Sequence, residues 1–158
     1  MAIKHCTSFS LVFLATATIL LAGQAHGIRH INLCRRADYP KLCRLVVRGQ
    51  VNPYVAMASA INQLIIATYK AEGLATRSGS KDCRASYGDA ISNLKTSLVN
   101  LRSHDKASLE INLAAALTDY VDCDDGLEDF GGRTPLGRTN GKLHRMASNS
   151  LYLASLTR

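Results

Sequence analysis

Between Cys83 and Arg102 the apolar side chains fall at Tyr87, Ala90, Leu94, Leu98 and Leu101, steps of three and four that place them on one helical face. Ser103-His104-Asp105 breaks the pattern. Asp105 suits the N-cap of a following helix whose apolar face reads Leu109, Leu113, Ala116, Tyr120, Cys123 and Leu127. So short a connection makes the two helices antiparallel neighbours. Upstream, Pro53 opens a helix after the polar linker 48–52, with Met57, Ile61, Leu64, Ile65 and Thr68 on its inner face. Gly73 and the polar run 75–80 are expected to end that helix near residue 73. The stretch 131–137, Gly-Gly-Arg-Thr-Pro-Leu-Gly, is the strongest loop signal in the chain. Beyond it Leu143, Met146, Ala147, Ser150, Leu153 and Ala154 outline a fourth amphipathic helix running to the C-terminus. No strand alternation and no repeat is found. The pattern predicts an all-α fold, an up-and-down four-helix bundle with a small N-terminal helical hairpin beside it.

The first 27 residues stand apart from this pattern. Lys4 and His5 precede an apolar run from Phe9 to Ala22, and Ala25-His26-Gly27 offers small residues where a signal peptidase reads. Residues 1–27 are read as a signal peptide cleaved before Ile28, with cleavage after Ala25 as the near alternative. The run is shorter than the roughly 20 apolar residues of a spanning helix, so no membrane segment is expected after cleavage. What remains, residues 28–158, is 131 of the 158 residues and suits one domain with one core.

An extracellular setting changes how the cysteines read. Cys6 leaves with the leader, and Cys34, Cys43, Cys83 and Cys123 remain, an even number in an oxidising compartment. Four cysteines allow three connectivities. Counting outward from the turn at His104, Cys83 and Cys123 arrive at nearly the same height on the antiparallel pair, so Cys83–Cys123 is the favoured bond and Cys34–Cys43 follows by elimination. In the chain-entropy picture these loops stabilise by about 4 and about 2.7 kcal/mol respectively. With no C-x-x-C pair and no suitably spaced histidine, a metal site is not expected.

Charge adds a candidate partner. Lys4 is the only formally charged side chain of the leader, so the net charge falls from +7 to +6 on cleavage. In a secreted protein a basic surface points away from nucleic acid and towards a polyanionic extracellular polymer. Six of the twelve acidic residues nevertheless crowd into positions 119–129: Asp119, Asp122, Asp124, Asp125, Glu128 and Asp129. They are either a solvated helix end or a docking surface for a basic partner, and negative charge near a helix C-terminus opposes the macrodipole. Catalytic chemistry finds little support. His104 and His144 sit in polar settings, the carboxylates lack the glycine of a calcium loop, and phosphate loops and nucleophile elbows are missing. The chain is read as no enzyme, with no cofactor.

Three segments carry a resemblance. They are Cys34-x8-Cys43, then Asp82-Cys83-Arg84-Ala85-Ser86-Tyr87-Gly88-Asp89-Ala90, then Ala114-Ala115-Ala116-Leu117-Thr118-Asp119 leading to Cys123-Asp124-Asp125-Gly126. In these, and in the Pro135-Leu136 and Asn149-Ser150-Leu151 contexts, the sequence resembles the plant invertase and pectin methylesterase inhibitor family over essentially the whole mature chain. The resemblance implies the same fold and disulfides, and action by stoichiometric binding to an enzyme, without cofactor. It nominates Asp89, Asp122 and Asp125 on the second and third bundle helices as partner-binding residues, with Asn93 and Asp119 beside them. Tyr87 also matches a family position, but its spacing makes it a core residue first.

Invertase inhibitors often carry Pro-Lys-Phe before the last helix, where this chain has Thr134-Pro135-Leu136-Gly137-Arg138. That departure and the acidic cluster, which would complement a basic esterase, favour pectin methylesterase, with acid invertase as the alternative target, reached through the Gly131–Arg138 loop. A monomer secreted to the cell wall is expected. Direct binding of pectin by the basic surface is kept as a separate reading. Finally, only 39 residues separate Cys43 from Cys83, fewer than is usual in the family, so the first bundle helix is expected to be short.

Overall fold

The structure, a computed structural model, describes residues 32–128 and 134–157. The leader and its cleavage point, and the 131–133 part of the glycine-rich loop, lie outside the described residues. Five helices and no strand are found among those described: α1 (Pro40–Val47), α2 (Pro53–Ser78), α3 (Lys81–Arg102), α4 (Lys106–Glu128) and α5 (Pro135–Ser155). Each of α2 to α5 packs on its neighbours in sequence, and α5 closes back onto α2, giving the expected up-and-down bundle. The diagonal backbones stay apart, and one diagonal is bridged in the core, where the Tyr120 hydroxyl lies 2.6 Å from Thr68 Oγ1.

Capping chemistry sets the helix ends. Asn52 Oδ1 accepts from the Tyr54 and Val55 amides and Pro53 takes the first helical position. Helix α2 then runs 26 residues, through Gly73 to Ser78, the longest of the five. Both expectations for this helix, an end near 73 and a short length, are thus corrected. Gly73 costs about 1 kcal/mol of propensity, which a packed helix absorbs. Termination waits for Gly79, whose positive φ of 76° lets the Gly79 and Ser80 amides bond back to Thr76 and Ala75 carbonyls.

The α3–α4 turn uses the same device without glycine. His104 adopts φ 58°, its amide bonding to the Leu101 carbonyl and that of Asp105 to Asn100. Asp105 then caps α4, its Oδ1 accepting from the Ser108 amide at 3.0 Å. One residue thereby closes α3 and opens α4, which forces the antiparallel pairing. Helix α5 begins earlier than the loop signal implies: Thr134 Oγ1 accepts from the Gly137 amide and Pro135 takes the first position, so Leu136 is helical and buried. Threonine-proline at a helix start was the readable cue.

Both disulfides are those expected, Cys34–Cys43 and Cys83–Cys123, with Cα–Cα distances of 5.7 and 4.3 Å. Tyr87 is fully buried. Its hydroxyl sits 3.2 Å from Cys123 Sγ and, since a disulfide sulfur carries no proton, it is the donor. The N-terminal segment is held by Asn149, fully buried on α5, which accepts from the Tyr39 amide and donates to the Tyr39 carbonyl at 3.1 and 3.0 Å. Among the described residues no helix is long and apolar enough to cross a membrane.

Candidate functional site

Helices α3 and α4 are drawn close at the Cys83–Cys123 crosslink, where the Cα atoms are 4.3 Å apart. There Gly126 faces Asp82, and a Cβ on residue 126 would lie only 3.2 Å from Asp82 Cβ. From this point two ridges border the seam. Residues Asp82, Ser86, Asp89 and Asn93 climb α3 at steps of 4, 3 and 4, while Gly126, Asp122, Asp119 and Ala115 descend α4 at the same steps. Each ridge stands one position from the buried row of its helix, Cys83, Tyr87, Ala90 and Leu94 on α3 and Ala116, Tyr120, Cys123 and Leu127 on α4. The apolar seam thus carries a polar edge along its length.

Four of the five nominated residues meet on that edge. Asn93 Nδ2 donates to Asp119 Oδ2 at 2.8 Å. Partial burial pushes the Asp119 carboxyl above its ordinary pKa; the Asn93 bond pulls it down, and the Asp89 and Asp122 carboxylates push it up again. Asp89 and Asp122 are exposed, so the patch presents charge outward from a half-buried Asp119. Asp125, also exposed, stands one turn further along α4 and shares no hydrogen bond with them. Asp82 and Ser86, which sequence reasoning passed over, complete the α3 ridge; the repeat of the 4-3-4 rhythm one position before the apolar row was the available signal.

No described lysine or arginine pairs with these carboxylates. The recorded ion pair, Lys106–Glu110 at 3.8 Å, lies at the opposite end of α4. Residues 82–129 as a whole hold ten acidic and four basic side chains, net −6, within a mature chain of +6. Among the described residues no three acidic, histidine or cysteine side chains are close enough to hold a metal ion. His104 is exposed in its turn, with its ring edge-on to Tyr54. The arrangement offers no nucleophile with an adjacent base. What it offers is a disulfide-anchored anionic surface without a described cation paired to it.

A sequence model of the plant invertase/pectin methylesterase inhibitor family matches residues 31–153. The chain belongs to that family. A pectinesterase inhibitor 6 of Arabidopsis thaliana is 30% identical over 149 residues, covering 77% of this chain and 72% of the relative. Putative invertase inhibitors of Platanus orientalis and Platanus acerifolia are each 32% identical over 76 residues, 48% of this chain; the match spans under half of either, 45% and 42%. Among solved structures, a mutant form of a pectin methylesterase inhibitor from Arabidopsis superposes with a TM-score of 0.70, at 14% identity, over 80% of this chain and 95% of that one. That likeness shows the family's helical fold.

Proposed function

We propose that this protein is a secreted inhibitor of a pectin methylesterase, acting as a monomer without cofactor and docking the α3–α4 acidic edge over the enzyme's active-site cleft. The observation that carries the reading is the unpaired cluster of Asp89, Asp119 and Asp122, with Asp125 a turn away. Like charges held together without counterions cost the free protein stability, and a basic partner would recover that cost while being steered into place. The similarity to a pectinesterase inhibitor over 77% of this chain and 72% of that relative supports the same target. Residues 1–27 are proposed as the leader that sends it to the cell wall.

A second reading, inhibition of an acid invertase, is favoured by the names of the two Platanus relatives and would place the contact at the Gly131–Arg138 loop. To separate the two, the oxidised protein, secreted from the whole 158-residue chain, is titrated in parallel against a plant pectin methylesterase and a plant acid invertase at mildly acidic pH. Esterase inhibition saturating near one inhibitor per enzyme and weakened in Asp122→Asn/Asp125→Asn supports the proposal. Inhibition of invertase alone, insensitive to those substitutions, replaces it.

A further inference from the structure

The charge on the other side of the bundle is as ordered as the acidic edge. Helix α5 contains no Asp or Glu, and its exposed ridge reads Pro135, Arg138, Lys142 and Arg145 at steps of 3, 4 and 3. Two grooves flank this ridge. One, of about 460 Å³, lies between α2 and α5 and is lined by Lys70, Arg138 and Lys142 with Ala67, Thr139 and Leu143. The other, of about 470 Å³, lies against α1 and brings Lys41, Arg44 and Arg145 around Tyr39 and Pro40. The carboxylate in this lining, Asp38, is engaged by the Ser148 hydroxyl at 2.7 Å.

Lys142 and Arg145 are one turn apart on α5, so the grooves adjoin and form a basic track across three helices. The aromatic within it is anchored through its backbone. Tyr39 is held at both backbone polar groups by buried Asn149, its ring is partly exposed, and the Arg145 guanidinium lies 5.9 Å from the ring centroid. Cations in a row beside a partly exposed ring suit a linear polymer whose units carry a carboxylate and a sugar face. We infer that this track binds a de-esterified polyuronate, the carboxylate polymer left when an esterase hydrolyses methyl esters, each event releasing one methanol and leaving one carboxylate.

The choice of polymer rests on the proposed esterase target. The inhibitor would then collect on chain segments where that enzyme has already acted, with the acidic edge still turned to the enzyme.

Binding of the secreted, oxidised protein to polygalacturonate tests this without any enzyme present, against highly methyl-esterified pectin and phosphatidylserine vesicles. The expected result is retention on polygalacturonate, little on esterified pectin, and loss on raising salt from about 20 to about 300 mM. Lys142→Glu/Arg145→Glu should weaken retention by about tenfold or more, the loss of two charge contacts at low salt, with an unchanged circular dichroism spectrum. Lys142→Ala/Arg145→Ala, a milder change, should weaken it in the same direction. Asp122→Asn/Asp125→Asn should leave it intact.

Equal retention on esterified pectin, indifference to both double variants, or preference for the vesicles overturns the inference, the last in favour of a lipid surface. Esterase inhibition without polymer binding would defeat this inference and leave the proposed function standing. Polymer binding by a protein that inhibits neither enzyme would do the reverse.

Discussion

The α3–α4 hairpin and the face formed by α5 with α1 and α2 are built from the same kind of amphipathic helix, yet they present opposite charge. Residues 82–129 carry −6, and the remainder of the mature chain carries two acidic and fourteen basic side chains, +12. The net +6 therefore describes neither face. With screening over about 8 Å at physiological ionic strength, a partner meets one face and not the sum. The topology keeps the two apart: in an up-and-down bundle a sequence-contiguous hairpin becomes a spatially contiguous side. A charge bias along the chain is thus converted directly into a charge bias across the molecule.

The hardest way to break the contrast is to cut the hairpin's anchor. Replacing Cys83 and Cys123 together by alanine should cost about 4 kcal/mol in chemical unfolding, against about 2.7 for the Cys34–Cys43 pair. Inhibition should suffer most from the former, because that crosslink holds the acidic edge. Gly126→Leu comes next. Its side chain must force α4 away from Asp82, where even a Cβ is crowded at 3.2 Å. A loss of about 1–3 kcal/mol by thermal or urea unfolding is expected, with inhibitory potency falling further than stability alone explains.

Reversing charge without disturbing packing sharpens the contrast. Asp122 and Asp125 are exposed, so Asp122→Lys/Asp125→Lys should leave the melting temperature nearly unchanged. Inhibition should weaken by about tenfold, or about 1.4 kcal/mol, mostly through a slower, less salt-sensitive association. An unchanged association rate would remove the acidic edge from the interface.

The smallest effect concerns Asp119. Its folded pKa lies above the ordinary aspartate value of 3.8, chiefly through burial and then through Asp89 and Asp122, despite the Asn93 bond. The folded state therefore holds the proton more tightly than the unfolded one. The ionised form costs stability above the folded pKa, and that cost vanishes as pH falls below 3.8, where both states are protonated. Asp119→Asn keeps an acceptor for Asn93, and should stabilise by a few tenths of a kcal/mol at neutral pH. The gain should disappear in acid, as differential scanning calorimetry across that range would register.

Much of the fold is legible because local rules and the core agree. Apolar steps of three and four located all four bundle helices; Pro53 and Asp105 marked two helix starts, and the turn at His104 fixed which cysteines could meet. The acidic edge was half legible: Asp89, Asn93, Asp119 and Asp122 stood out by type and position, but their convergence depends on the register between α3 and α4, which no single helix encodes. Asp82 escaped notice because its place follows from Gly126 on the facing helix.

The sequence by itself determined the helical class, the disulfide pairing and the segregation of charge along the chain, since periodicity, turn chemistry and composition are properties of contiguous residues. Only the tertiary structure decided where α2 stops. Gly73 and Gly79 carry the same local signal, and the packed bundle sustains the helix through the first. It also decided that Asn149 is a buried clamp on the Tyr39 backbone, that Lys70 and Lys142 line one groove, and that Lys41, Arg44 and Arg145 line another. Those facts join residues far apart in sequence, and only the packing of whole helices brings them into register.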